Sequence, residues 1–154
     1  GKSAIYSIFF GISFLMAALF MPAENVLAQS KESYQLLLAG HKSEPSVQTS
    51  ATGMVTVSIE SDTLTLSGKF SDLQSDYYTA YIGVGEDNES GNVLFKLKPD
   101  LSEDLRSGTF AKSKNRFTLS ETHYDLLQDG EFFIAVASSE NKLAEIRAQL
   151  VSEE

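Results

Sequence analysis

The sequence predicts an all-β fold: an antiparallel Greek-key β-sandwich of immunoglobulin-like outline with one short helix, preceded by an N-terminal signal helix. Three observations predict it. Residues 53–60 (GMVTVSIE) and 63–70 (TLTLSGKF) alternate apolar and polar side chains across a Ser61-Asp62 turn, the signature of a hairpin. Short runs of the same kind recur between clusters of Gly, Asn, Asp and Ser, which marks a sandwich or barrel. Long stretches of 3.6-residue periodicity are absent beyond the N-terminal segment.

Each element follows from local pattern. Residues 5–21 (IYSIFFGISFLMAALFM) are almost wholly apolar, Lys2 precedes them and Pro22 ends them. Val26 and Ala28 then stand third and first before a scissile bond, the small-residue pattern of a cleavable signal. The expectation is a signal peptide over 1–28, cleavage near Ala28, a secreted or periplasmic product and no stable membrane anchor. A retained anchor is the alternative, but the run is at the short limit for spanning a bilayer and no Lys or Arg follows it. Residues 29–33 read as a short polar linker, 34–151 as the folded domain and 152–154 as a tail.

Within the domain, residues 34–40 (YQLLLAG) read as a strand and 41–52 as a polar connection containing Pro45. In 53–60, Val55, Val57 and Ile59 share one face. In 63–70, Leu64, Leu66, Gly68 and Phe70 do. Residues 77–84 (YYTAYIGV) place Tyr78, Ala80, Ile82 and Val84 on one face and Tyr77 and Tyr81 on the other. The acidic stretch 85–92 is a turn-rich loop before a short strand at 93–97. A helical turn is expected around 101–105. Short strands at 108–111 and 116–119 flank a basic tip, KSKNR. Residues 120–128 (SETHYDLLQ) form the one helix, with Ser120 as N-cap, Glu121 near its positive end and Asp129-Gly130 closing it. Strands at 132–138 and 144–151, joined by a polar loop at 139–143, end the domain.

Composition narrows the function. The net charge of −9 argues against a nucleic-acid partner and against an anionic membrane surface, both of which need clustered Lys and Arg. The chain has no cysteine, which excludes disulfides, thiolate metal sites and a cysteine nucleophile. No G-x-S-x-G or phosphate-cradling glycine motif occurs.

The segment LAGHKSEPSVQTSATGMVTVSI resembles the opening of a CHRD (chordin-type) domain, through Leu38, Gly40, Glu44, Pro45, Val47, Thr49, Ala51 and Gly53. Leu73, Ala80, Ile82, Gly85, Gly91, Val93 and Leu97 fit that family's central stretch. Leu127, Gly130, Phe133, Val136, Glu145, Ile146, Arg147, Gln149 and Leu150 fit its closing stretch. The resemblance implies an extracellular β-domain, found in bacterial exported proteins and in animal antagonists of secreted growth factors. The family's His-Ile-His falls here at Tyr81 and Gly83 and its late-strand histidine at Ala137; glycines beside Glu-Ile-Arg fall at Ala144 and Ala148. A three-histidine metal cluster in relatives therefore has no counterpart, and no cofactor or metal is expected.

The candidate binding residues are Tyr77, Tyr81, Gly83, Glu145 and Arg147; no catalytic residue is expected. Arg147 beside Glu145, opposite Ile146, reads either as a ligand contact near Tyr81 or as an ion pair locking the last strand. Tyr77 and Tyr81 on one exposed face would make an aromatic patch. Glu86, Asn88 and Ser90 before Gly91 invite a calcium reading, but Leu97 stands where a bidentate Glu is needed. His41 and His123 lack metal-ligand spacing. The expected function is an exported non-enzymatic binding or structural module whose partner is a protein or cell-envelope component. A metal-dependent or hydrolytic extracytoplasmic enzyme and a calcium-stabilised adhesion module are the alternatives.

Overall fold

A computed structural model describes residues 31–87 and 89–151. The signal segment, its cleavage site, the start of the linker, Asn88 and the 152–154 tail lie outside the described residues. Ten strands form one sheet: β1 (Lys31–Ala39), β2 (Thr52–Glu60), β3 (Thr63–Ser71), β4 (Tyr77–Val84), β5 (Asn92–Lys96), β6 (Pro99–Leu101), β7 (Gly108–Phe110), β8 (Arg116–Thr118), β9 (Phe132–Ser138) and β10 (Asn141–Gln149). Among the described residues one α-helix, α1 (Glu121–Gln128), precedes β9, and short 3-10 turns occupy Gly40–Lys42 and Lys112–Lys114. Among the described residues no helix is long and apolar enough to cross a membrane.

The strand order is β5-β4-β9-β10-β1-β2-β3-β7-β6, with β8 also on β3. The expected two-layer sandwich is replaced by one antiparallel sheet curled into a half-barrel. Connectivity compels the curl. Laid flat, nine strands would put β5 and β6 on the order of 38 Å apart at about 4.8 Å per spacing. Only Leu97 and Lys98 join them, a link of about 11 Å at most.

The concave face holds the core. The alternation read in 53–60 and 63–70 is realised in register: Val55 pairs with Gly68, Val57 with Leu66 and Ile59 with Leu64. Val55, Val57, Ile59, Leu64, Leu66 and Phe70 are all buried there, with Ile82, Ile134 and Ile146 from the other end of the sheet. Each such side chain contributes about 1.5–3 kcal/mol of burial. β9 is buried at every residue, because loops cover its convex face while the core covers the other.

Several expectations are corrected. β1 begins at Lys31, inside the stretch read as linker. Residues 101–105 form no helical turn; Pro99–Leu101 is an edge strand, and a turn closed by Leu105 N–H on Ser102 O follows. The short strands read on either side of the basic tip, β7 and β8, are both present and both pair with β3, at Gly68–Phe70 and Thr63–Thr65. The last hairpin is tight, Asn141 pairing with Ser138, and a register shift follows before Ile146. Helix α1 matches its reading: the Ser120 hydroxyl accepts from His123 N–H at 3.2 Å, and Gly130 at φ 73° takes the left-handed closing position.

Candidate functional site

β4, β9 and β10 bring four of the five sequence-selected residues, Tyr81, Gly83, Glu145 and Arg147, to the convex face. Tyr81 pairs with Ala135, which pairs with Arg147, and the same row continues to Lys96 on β5 and Ala39 on β1. The next row pairs Gly83 with Phe133. Gly83 has no side chain for a steric reason: an added Cβ would lie 2.4 Å from Phe133 Cζ. The Phe133 ring thus fills the place vacated at Gly83 and meets Tyr81 edge-on, centroids 5.8 Å apart. Tyr81, Phe133, Ala135 and Ala144 make a small second core.

Arg147 is buried, at 2% exposure. Its guanidinium lies 3.8 Å from the Phe133 ring centroid, a cation–π contact in a desolvated setting. Nη2 donates to Glu86 O at 2.9 Å and to Gln149 Oε1 at 3.2 Å, and Nη1 donates to Glu89 O. Nε is buried without an acceptor. Gln149 Nε2 donates to Gly85 O and Gly130 O, both at 2.7 Å. The guanidinium and the amide together hold the acidic loop after β4 by its backbone carbonyls, leaving the Glu86, Asp87 and Glu89 side chains exposed. Burial pushes the Arg147 pKa down, against the opposing pull of Tyr81, Asp87, Glu44 and Glu89. Burial pushes the Tyr81 phenol up, partly offset by Arg147.

Glu145, fully buried, does not pair with Arg147. Its carboxylate accepts from Thr49 Oγ1 at 2.7 Å, Ser138 Oγ at 2.6 Å and the Gln74 N–H at 3.0 and 3.1 Å. Among the described residues no carboxylate lies within ion-pair distance of Arg147. Of the two structural roles a charge can take here, both residues are clamps between strand and loop rather than partners in a strand-locking ion pair.

Tyr77 and Tyr81 do not share a face. A register shift between Tyr77 and Thr79 reverses the phase of β4. Tyr77 turns into the core, stacked on Phe70 at 5.8 Å, while Tyr78 is left 55% exposed with Lys142 Nζ 5.6 Å from its ring. The Tyr81 hydroxyl donates to Leu143 O at 2.6 Å. Glu86 and Ser90 of the calcium reading are exposed, and Asn88 lies outside the described residues. Among the described residues no three His, Cys, Asp or Glu side chains cluster as a metal site. His123 accepts from Ser120 N–H through Nδ1 at 3.3 Å and lies edge-on to Phe95 at 5.5 Å.

Sequence reasoning missed Phe133, Gln149, Thr49, Gln74 and Ser138 as partners. The alternation that put Arg147 on the convex face also puts Gln149 there and was a usable signal. The contacts of Thr49 and Gln74 with Glu145 span 96 and 71 residues and carry no local signature.

Curated proteins offer no match to this chain, and no solved structure matches it. A model of the CHRD domain matches residues 34–150, most of the sequence. CHRD domains occur in extracellular proteins. With that match running from β1 to the end of β10, the chain belongs to the CHRD domain family.

Proposed function

We propose that this protein is an exported, non-enzymatic binding module of CHRD type whose ligand is a protein or a cell-envelope component. The observation that carries the reading is the clamping of the loops around β4, β9 and β10. Arg147 and Glu145 spend their hydrogen bonds on loop backbone and loop hydroxyls. Glu86, Asp87 and Glu89 are thereby mounted on a rigid sheet with their carboxylates outward, the arrangement in which loops carry recognition. The binding role passes from Tyr77, Tyr81, Gly83, Glu145 and Arg147, which are largely buried, to the exposed loop that Arg147 positions. Family membership and the N-terminal run ending in Val26 and Ala28 support export.

Two measurements test this. Expression of the whole chain in an exporting host, with N-terminal sequencing of the product, is expected to give a mature protein starting at Gln29 outside the cytoplasm. An unprocessed cytoplasmic product overturns export. Crosslinking of the tagged protein to its producer's envelope is expected to weaken on Glu86→Ala/Asp87→Ala with Tm unchanged; unaltered crosslinking removes the loop from the reading.

A further inference from the structure

We propose that the seam between β5 and β8 binds a linear polyanion of the cell envelope, a polymer bearing regularly spaced carboxylate or phosphate groups. The class of polymer rests on the export reading above; the surface itself rests on geometry. The net charge of −9 conceals a local reversal. Phe95 and Leu97 turn inward, Phe95 stacking on Phe117 of β8 at 4.8 Å and Leu97 fully enclosed. Alternation therefore turns Lys96 outward on β5 and Arg116 outward on β8, and Lys98 is exposed in the link that follows β5. Lys112 and Lys114 stand on the 3-10 turn at the end of the seam.

These five residues lie on two stretches, 96–98 and 112–116, that one bridge holds together. Asn115, which caps that turn and precedes β8, accepts from Lys98 N–H at 2.7 Å through Oδ1 and donates to Lys98 O at 3.1 Å through Nδ2. Five of the chain's 12 Lys and Arg thus lie within three residues of a single hydrogen-bonded bridge, all exposed. Of these five, among the described residues, only Lys114 has a carboxylate in ion-pair range, Asp100 at 2.6 Å. Asp104 accepts from Ser102 Oγ and from Arg106 N–H within its own turn. A chain with 21 acidic residues that leaves four cations together unneutralised carries mutual repulsion that an anionic ligand relieves.

The chemistry selects the partner. Four of the five are Lys, point charges without the bidentate geometry that reads one particular group, which suits a repeating anion. No exposed aromatic side chain lies between residues 96 and 116, so the surface lacks the anchors of a protein interface. Among the described residues β5 pairs with β4 alone and β8 with β3 alone, so each presents a strand edge beside the charges.

The test uses the purified whole chain with alginate as carboxylate polymer, polyphosphate as phosphate polymer, neutral dextran, poly-L-glutamate, and vesicles of phosphatidylglycerol with phosphatidylethanolamine. Alginate or polyphosphate is expected to bind at low salt, with affinity falling as salt rises, and dextran not to bind. Lys96→Ala/Lys98→Ala/Arg116→Ala should weaken binding about tenfold or more and flatten the salt dependence. Lys69→Ala/Lys142→Ala, which removes exposed charge elsewhere, should leave it unchanged, with Tm the same in all three proteins. Poly-L-glutamate, itself a polymer of regularly spaced carboxylates, is expected to bind as alginate does; binding to vesicles alone, no polyanion binding, or equal loss in both variants overturns the proposal. An unprocessed cytoplasmic protein that still binds through these residues refutes export and leaves the surface standing. An exported protein that binds no polyanion does the reverse.

Discussion

The guanidinium of Arg147 lies 3.8 Å from the centre of the Phe133 ring and spends its Nη hydrogen bonds mainly on the carbonyls of Glu86 and Glu89. A buried cation here acts as a bolt between the last strand and the loop after β4. Arg147→Ala strips two carbonyls of their donor and one ring of its cation, and is expected to cost about 3 kcal/mol in urea unfolding. Arg147→Lys, lacking the fork to reach both carbonyls, should recover only part of that. Amide hydrogen exchange within 86–90 should accelerate in both; an unchanged loop would remove the bolt.

Gly83 and Phe133 compete for one volume. Gly83→Ala places a methyl 2.4 Å from Phe133 Cζ and should destabilise by about 1–3 kcal/mol. Combined with Phe133→Leu, the pair should be less than additive by at least about 0.5 kcal/mol, read from a double-mutant cycle in urea.

Asn115 closes the junction between the two ends of the sheet. Its amide serves Lys98 N–H, Lys98 O and Ala111 O at 2.7–3.1 Å while fully buried. Asn115→Ala is expected to lower stability by about 2–3 kcal/mol. Asn115→Asp keeps the size but loses both donors, so it should rescue nothing at pH 7 in thermal unfolding. Rescue by Asp would show that shape rather than hydrogen bonding matters there.

Stability should fall at alkaline pH. Burial raises the Tyr77 phenol to about 12, burial and the Glu32 carboxylate raise Tyr34 to about 12, and burial raises Tyr81. Each holds its proton more tightly folded than unfolded, so the contribution is complete below the unfolded value near 10 and is lost as pH rises toward 12. Urea midpoints should be level from pH 8 to 9.5 and then drop. Tyr77→Phe, which cannot ionise, should drop less steeply over that window; an identical slope would exclude Tyr77 from the effect.

Calcium at millimolar concentration is expected to leave Tm unchanged within about 0.5 °C. The carbonyls of Glu86 and Glu89 already serve Arg147, and Leu97, at the place of the twelfth ligand, is buried with its N–H on Ala80 O. A rise of several degrees that disappears in Glu86→Ala would establish a site in this loop.

The β2–β3 hairpin shows what was legible beforehand. Val57 opposite Leu66 and Ile59 opposite Leu64 follow from a period of two and a two-residue turn, both contained within twenty residues of chain. β4 shows the limit. Its bounds agree with the sequence reading, yet one register shift at Tyr78 sends Tyr77 inward and breaks the aromatic face that alternation predicts. A bulge is set by the partner strand, and the partner of β4 is β9, more than forty residues on.

Local pattern alone determined that this chain is β-rich, which residues of its long strands are apolar on one side, where the helix at Glu121–Gln128 is capped, and the family to which it belongs. Periodicity, capping and turn chemistry act between neighbours, so they are written in consecutive residues. Tertiary structure decided that the strands make one curled sheet rather than two layers, that Glu145 and Arg147 ignore each other, and that Asn115 bridges the stretch at Lys98 to the one before β8. Those outcomes depend on which distant backbone groups pair, a competition settled by burial and hydrogen-bond satisfaction over the whole chain at once.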